Sequence, residues 1–171
     1  MAKFKALPPL EELKKFLSYD PETGLFTWVA CKGKGRGRKG QVAGRIETRS
    51  GYRRIRLNGQ RWNAHRLAWL FATGSDPGDF TIDHINRDPN DNRIENLRLA
   101  TTQQQSGNQG LWATNTSGAK GVYWNKQNRV WHAQIMLNGK KKHLGFFSKK
   151  EQAAAAYQKA AADHYGEFLA S

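Results

Sequence analysis

The organisation of this chain is decided by residues 81–98, which read TIDHINRDPNDNRIENLR. The stretch opens with a short apolar run that ends in the adjacent pair Asp83 and His84, and it closes with apolar residues that return the chain to a core. Between them lies a loop composed almost wholly of Asn, Asp and Pro, the residues that form turns. A carboxylate is a hard oxygen ligand suited to a divalent cation, and an imidazole is the side chain best able to take a proton from water near neutral pH.

Two interpretations of this stretch are possible. Adjacent side chains on a regular strand point to opposite faces, so Asp83 and His84 would serve one site if the strand twists or bulges at its end. In the other interpretation they belong to a solvated turn, and the Asn and Asp side chains only make local hydrogen bonds. The site is favoured because Asp83 and His84 are followed by the complete polar loop and then by Asn96-Leu97-Arg98.

The segment resembles the active-site motif of the HNH homing endonucleases, which reads Asp-His, a polar loop, Asn-Leu-Arg and then a short helix. The resemblance implies a ββα-metal motif over about residues 80–108, in which two strands and a helix clasp a metal ion. It implies that Asp83 is a metal ligand and that His84 is the general base that activates water. It also implies that Asn96 bridges the loop and orients the imidazole.

The sequence departs from the family pattern at the second metal ligand. Family members usually carry Asn or His nine residues after the middle Asn, and that position here is Gln105. An amide oxygen can bind a hard cation, but the Gln side chain is longer and more flexible. We take Gln105 as the second ligand; Asn108 is the alternative if the helix continues past Gly107. The implied cofactor is Mg²⁺, with Mn²⁺ or another divalent ion as the alternative.

The charge of the chain is strongly positive and unevenly distributed. Of a net charge of +14, residues 32–66 contribute twelve basic side chains against the single acid Glu47, and residues 119–150 contribute eight basic side chains and no acid. The stretch between them is net acidic, which suits a metal site held against a polyanion. An anionic membrane is the other possible partner, but neither basic segment has the pattern of an amphipathic helix. We therefore expect double-stranded DNA as the partner, and no membrane.

The composition bounds the setting of the protein. A length of 171 residues suits one medium domain or two small ones. No apolar run approaches the length of a membrane span, and the first residues lack a secretory pattern. Cys31 is the single cysteine, which excludes an intramolecular disulfide framework. We expect an intracellular, cytoplasmic and monomeric protein; the resemblance implies a phage or mobile element in a bacterial host.

The first basic segment contains two candidate DNA contacts. Residues 31–40 alternate Gly with positive charge and are predicted to be a mobile loop whose Lys34, Arg36 and Arg38 follow phosphates, the alternative being a solubilising loop. Residues 51–57 and 60–64 are predicted strands joined by Asn58-Gly59, a strong hairpin signal. Arg54 and Arg56 share one strand face and are predicted to contact the DNA backbone, the alternative being a solvated face.

Other elements follow from hydrophobic spacing and turn residues. Residues 7–17 are predicted to be an amphipathic helix, residues 25–29 a strand, and residues 65–73 a helix that ends at Gly74. His65 begins that helix and matches a histidine that often precedes the motif in the HNH family. A single His at such a place is more often structural, so we leave it out of the catalytic set.

The C-terminal part is predicted to be a separate unit after a linker at residues 111–119. Three strands, at residues 121–124, 129–137 and 140–147, precede a helix that Ser148 and Glu151 would start as a capping box. Residues 114–170 resemble the plant APETALA/ethylene-response-factor DNA-binding domain. The matching residues are Gly121-Val122, Trp131, Ala133, Ile135, Leu144-Gly145, Phe147, the Ala-rich run 153–157, Ala160-Ala161 and Gly166.

The second resemblance implies a three-stranded antiparallel sheet that is backed by one helix and lies in the DNA major groove. Carried over by position, the DNA-facing side chains are Tyr123, Asn125, His132, Gln134, Met136, Lys141 and His143. Several of these places are Arg or Trp in the plant domains, so a different base sequence would be read. The alternative is a sheet that contacts phosphates without reading bases.

The sequence therefore predicts an α+β protein with an HNH endonuclease domain at residues 1–110 and an APETALA/ethylene-response-factor-like domain at residues 120–171. Its predicted activity is metal-dependent, site-specific hydrolysis of DNA, in which His84 and Asn96 are catalytic and Asp83 and Gln105 bind the metal. The alternative function is a non-catalytic, sequence-specific DNA-binding protein with a disabled HNH site.

Overall fold

The computed structural model describes residues 4–30, 38–111 and 113–169, and the structural statements below refer to these residues. Contacts divide the chain into two units, Met1–Ala100 and Thr101–Ser171. Both units combine helices with antiparallel strands, which confirms the predicted α+β class. The predicted domain boundaries at residues 110 and 120 stay predictions.

The first unit contains three small antiparallel sheets among its described residues, with strand orders β1-β2, β3-β4-β5 and β6-β7. Its elements in chain order are α1 (Leu10–Lys14), β1 (Leu17–Tyr19), β2 (Phe26–Trp28), β3 (Arg45–Ile46), β4 (Arg53–Leu57), β5 (Gln60–Asn63), α2 (Ala64–Thr73), β6 (Thr81–His84), a 3-10 turn (Ile94–Asn96) and β7 (Leu97–Ala100). The predicted helix over residues 7–17 was wrong in length. Leu17 instead pairs with Trp28 in the β1–β2 ladder, so the helix ends earlier.

The hairpin formed by β4 and β5 has the predicted register and turn. Asn58 and Gly59 both have positive φ, 51° and 78°, as a two-residue hairpin turn of the right twist requires. Ile55 lies opposite Trp62, and both are buried against the core. Alternation along β4 therefore directs Arg54 and Arg56 to the opposite face, as the sequence predicts.

The core of the first unit surrounds α2. Leu67 and Ala68 of this helix are fully buried, and they belong to one cluster with Phe26 and Ile55. The helix ends where predicted, because Gly74 takes the left-handed conformation and donates its amide to the carbonyl of Leu70. No described helix of the chain is long and apolar enough to cross a membrane.

The second unit is a helix packed on a three-stranded sheet, as predicted. Its elements are α3 (Thr102–Asn108), β8 (Val122–Asn125), β9 (Val130–Leu137), β10 (Lys140–Phe147), α4 (Lys150–Tyr165) and a 3-10 turn (Gly166–Phe168), with strand order β10-β9-β8. Gly121 lets α4 approach closely, since a Cβ there would lie 2.2 Å from the Tyr157 ring. The predicted capping box at Ser148 was wrong: Lys149 is the N-cap residue and makes no side-chain cap hydrogen bond.

Candidate active site

The Asn96 side chain cross-links the loop between β6 and β7 through hydrogen bonds. Its Oδ1 accepts a hydrogen bond from the Asn86 amide at 2.9 Å, and its Nδ2 donates to Asn86 Oδ1 at 3.0 Å and to the Asp91 carbonyl at 2.9 Å. The Asn96 carbonyl also accepts from the Ile85 amide at 2.9 Å. Three side-chain bonds satisfy this buried amide and fix the start and end of the loop relative to each other.

The rest of the loop is built from local side-chain turns. Asn86 Oδ1 accepts from the Asp88 amide, and Asp88 Oδ1 accepts from the Asn90 amide, both at 2.9 Å. These are the turn hydrogen bonds that the alternative interpretation of the sequence expects. They occur together with a pair of buried residues, since Asp83 is 4% exposed and His84 is 5% exposed. A solvated turn therefore does not account for the motif.

The imidazole of His84 is held by Asn92, a buried residue for which the sequence predicts only a turn. Asn92 Nδ2 donates to the Asn90 carbonyl at 3.0 Å, so its Oδ1 faces Nε2 of His84 at 3.3 Å. Because an amide oxygen can only accept, this contact requires the hydrogen of the imidazole on Nε2. That tautomer carries its lone pair on Nδ1, the atom that can accept a proton.

Two further rings pack around His84. His65 from α2 lies edge-on to it, with ring centroids 5.3 Å apart and planes at 89°, and Tyr52 is 5.8 Å away. Burial lowers the pKa of His84 from its ordinary 6.5, while the hydrogen bond with Asn92 and the Asp83 carboxylate act in the opposite direction. The imidazole is thus kept neutral near pH 7.

His65 is more deeply enclosed than its position in the sequence suggested. Burial, reinforced by the neighbouring His84 and Arg66, lowers the pKa of His65 to about 3. Its Nδ1 atom has no hydrogen-bond partner among the described residues. The helix start places this ring against His84, a contact that the spacing of the two residues in the sequence could not reveal.

Asp83 lies in a regular part of the β6–β7 ladder. It pairs with Arg98, and the register continues unbroken to His84, which pairs with Leu97. The ladder therefore lacks the bulge that would turn both side chains to one site. Burial raises the pKa of Tyr52 and the Asp83 carboxylate adds to that rise, while at His84 the same carboxylate partly opposes the lowering caused by burial.

The second predicted metal ligand lies in α3, within the second unit. Gln105 is half-buried in this helix, and Asn108, the alternative, is its buried last residue. The helix begins with a capping box in which Thr101 and Gln104 bond each other's backbone amides. No group of three or more His, Cys, Asp or Glu in the described part of the chain could hold a metal ion by itself.

The predicted DNA contacts of the first unit fall into two groups. Lys34 and Arg36 lie outside the described residues, and Arg38 is exposed beside that gap. Arg54 and Arg56 lie on the outer face of β4; Arg54 is paired with Glu47 at 3.1 Å, whereas Arg56 is exposed.

The predicted DNA-facing residues of the second unit share one face of its sheet. Register places Tyr123 opposite His132, Gln134 opposite His143, and Met136 opposite Lys141. The Tyr123 hydroxyl donates to Oε1 of Gln134 at 3.2 Å, and Asn125 accepts from the Asn128 amide. Sequence reasoning missed Phe146, which is 55% exposed and stacks on His132 at 4.9 Å. A β-bulge between His143 and Gly145 shifts the register and brings Phe146 opposite His132, whereas simple alternation from His143 would put it on the other face.

Comparison with known proteins finds similar sequences for part of the chain. Residues 63–106, from the end of β5 into α3, match the HNH endonuclease family, so this segment is similar to HNH endonuclease domains. No solved structure matches the chain.

Two viral proteins are similar to parts of the chain. "Protein 3.8" of Escherichia phage T7 is 37% identical over 76 residues, which is 44% of this chain and 63% of that protein. "Uncharacterized HNH endonuclease L560" of Acanthamoeba polyphaga mimivirus is 36% identical over 107 residues, which is 62% of this chain and 54% of that protein. The matches thus span between about half and two thirds of the length of these curated relatives.

Proposed function

We propose that this chain is a metal-dependent, site-specific DNA endonuclease of the HNH homing type, with His84 as the general base. The observation that carries the proposal is the buried imidazole of His84, held by Asn92 beside the Asp83 carboxylate inside a segment that matches the HNH endonuclease family. A neutral, oriented imidazole is what the removal of a proton from water requires.

The proton would be accepted at Nδ1 of His84. The hydrogen bond with Asn92 favours the tautomer that carries hydrogen on Nε2, and burial favours the neutral ring. Asn92 and the edge-on ring of His65 would keep the imidazole plane fixed while water approaches. The contribution of Asn96 would be indirect, since its three side-chain bonds hold the loop rather than the ring.

The metal would be held by Asp83 and by an amide from α3, Gln105 or Asn108. A protein site with one carboxylate suits Mg²⁺, which usually keeps water and substrate phosphate among its ligands. Arg98 fixes Oδ2 of Asp83 through two contacts of 2.9 Å and so orients the carboxylate. When bound, the cation would neutralise charge on the scissile phosphate and on the leaving 3′ oxygen.

The partner would be double-stranded DNA, bound by a monomer. The basic outer face of β4 supports contact with phosphates, and the sheet of the second unit supports an APETALA/ethylene-response-factor-like role in site selection. The two viral relatives support a phage or mobile element as the source, acting inside a host cell. Gln105 favours one other function, a non-catalytic DNA-binding protein whose metal site is disabled.

The test is incubation of supercoiled plasmid with the full chain and Mg²⁺ or Mn²⁺, with a chelator as control. We expect relaxed or linear DNA only with metal, and a loss of about a hundred- to ten-thousand-fold in rate for His84→Ala. The same variant should bind DNA as the original does. Plasmid that is bound but never cut would support the non-catalytic alternative, and cleavage that survives in His84→Ala would contradict the assigned base.

A further inference from the structure

The outer face of the β3-β4-β5 sheet carries two pairs of arginines. Arg45 lies directly opposite Arg54, and Arg56 lies directly opposite Arg61. Directly opposed residues of antiparallel strands share a face, and Arg54 and Arg56 share it because they are two residues apart. The reverse face of the same sheet is core, with Ile55 fully buried. One sheet therefore separates apolar packing from four guanidinium groups.

This arrangement is unfavourable unless an anion is bound. Like charges directly opposite each other destabilise a sheet. Glu47 is the one carboxylate among the described residues that line this region, and it pairs with Arg54 at 3.1 Å. A hydrogen bond from Ser50, together with the charges of Arg54 and Arg61, lowers the pKa of Glu47, so that it is ionised and already engaged. The Nε atom of Arg54 is buried and has no hydrogen-bond partner among the described residues.

The four arginines are among the residues that line an open cleft of about 620 Å³, a volume in the range of small-ligand sites. Apolar residues also line the cleft: Trp28 is half-buried, while Val42 and Ile46 are 48% and 50% exposed. Val42 is brought beside Trp28 because its segment pairs with β2, where the Trp28 amide donates to the Gln41 carbonyl at 2.9 Å. We call this feature the arginine cleft; it is lined by Trp28, Gln41, Val42, Gly44, Arg45, Ile46, Glu47, Arg54, Arg56 and Arg61.

The combination of arginines and apolar side chains in the cleft indicates the chemistry of the ligand. Paired DNA presents phosphates and sugars along its backbone, which would satisfy the arginines but leave Trp28 and Ile46 without a matching surface. Positive groups next to an aromatic ring are typical of sites that bind unpaired nucleic acid, where bases stack and phosphates lie along the charges.

We propose that the arginine cleft binds one unstacked nucleotide of the DNA, with its base against Trp28, Val42 and Ile46 and its flanking phosphates on Arg54, Arg56 and Arg61. This inference rests on the proposed function only in taking DNA as the ligand. A nucleotide held out of the stack would anchor the chain at a point of local strand distortion.

The experiment compares three probes in the presence of chelator, so that binding is measured without cleavage. They are a duplex with one bulged adenine, the same duplex with an abasic bulge, and the fully paired duplex. We expect the full chain to bind the bulged adenine about 5- to 150-fold more tightly than the abasic bulge, the range that stacking on an aromatic ring provides. Equal binding of these two probes would overturn the proposal.

Variants locate the effect. Trp28→Leu should remove the preference for the base while leaving affinity for the abasic probe nearly unchanged, and Trp124→Leu, an exposed tryptophan of the second unit, should change neither. Arg56→Gln should weaken all probes alike, because phosphate contacts carry no base information. If Trp28→Leu fails to fold, Ile46→Ser, at a half-exposed position, tests the same contact with the base. If a folded Trp28→Leu or Ile46→Ser variant still prefers the bulged adenine to the abasic bulge, the proposed base-binding site is contradicted.

Failure of this proposal and failure of the proposed function give different results. A chain that prefers the bulged adenine but never cuts plasmid with metal would support the proposed nucleotide site and contradict the proposed nuclease activity. A chain that cuts plasmid but binds the adenine and abasic bulges equally would support the proposed nuclease activity and contradict the proposed nucleotide site.

Discussion

Arg98 and Asp83 stand directly opposite each other in the β6–β7 ladder, and Nε and Nη2 of Arg98 both contact Oδ2 of Asp83 at 2.9 Å. The Asp83 side chain is only 5% exposed. The arginine therefore compensates a buried carboxylate and also fixes the direction of a predicted metal ligand.

Removing the arginine should destabilise the fold as well as the site. We expect Arg98→Ala to lower the free energy of unfolding by about 3–5 kcal/mol, the usual effect of leaving one charge of a buried pair uncompensated. Arg98→Lys should lower the free energy of unfolding by less, because lysine keeps the positive charge although it cannot make both nitrogen contacts with Oδ2 of Asp83. Urea unfolding measures both, with Lys14→Ala, which breaks an exposed pair with Glu11, as the control. Equal midpoints for Arg98→Ala and Lys14→Ala would contradict this assignment.

Asn92 should matter to the rate of cleavage rather than to DNA affinity. Its Oδ1 is the acceptor that fixes the His84 tautomer, so Asn92→Ala should slow cleavage by about 10- to 100-fold, the effect usual for groups that orient a functional imidazole. Asn92→Asp keeps the acceptor oxygen and should recover part of the rate. Asn90→Ala is the matched control, since Asn92 bonds the Asn90 backbone and not its side chain. Equal cleavage rates in Asn92→Ala and Asn90→Ala would show that Asn92 does not fix the tautomer of His84.

The local parts of this fold were predictable because short-range physics decides them. Asn58-Gly59 specifies the β4–β5 hairpin by its positive φ angles, and Gly74 ends α2 in the same way. The alternation along β4 assigns Arg54 and Arg56 to the outer face without knowledge of any partner.

The parts that failed depend on tertiary contacts. The helical spacing through Leu17 is overridden by pairing with Trp28, and a Ser148-Glu151 capping box is not formed. In the site, the contacts of His84 with Asn92 and His65 join segments separated by a turn-rich loop and by a helix. Residue type at those positions is compatible with a turn or a core, so only the fold distinguishes them.

The buried ring of His65 should make stability depend on pH. Its pKa is about 3 in the folded chain and about 6.5 when unfolded, so between these values the unfolded state binds more protons and stability falls as the pH falls. From pH 7 to pH 5 this group alone should remove about 2 kcal/mol of the free energy of unfolding. His65→Phe should flatten the dependence, because it removes the group whose pKa is lowered by burial. Urea unfolding at the two pH values checks this, and equal losses in the original chain and His65→Phe would refute it.

Gln105→Asn tests the second metal ligand. If Gln105 binds the metal poorly because its amide is one methylene too far out, the shorter side chain should lower the metal concentration needed for half-maximal cleavage, by about tenfold. Metal titrations of plasmid cleavage compare the two proteins. An unchanged requirement, together with a loss in Asn108→Ala, would assign the ligand to Asn108.

The sheet of the second unit should select sequences, whereas the outer face of β4 should supply affinity. His143 and Gln134 lie opposite each other on the exposed face, and their side chains can donate to or accept from base edges. Gln134→Ala or His143→Ala should therefore change which sequences are recovered from a randomised DNA pool. Arg56→Ala should instead weaken all sequences alike and reduce the slope of affinity against salt by about one. Binding at two salt concentrations measures both effects. Should the sheet variants recover the same sequences with uniformly lower affinity, the sheet contacts phosphates only, and selection would depend on the first unit.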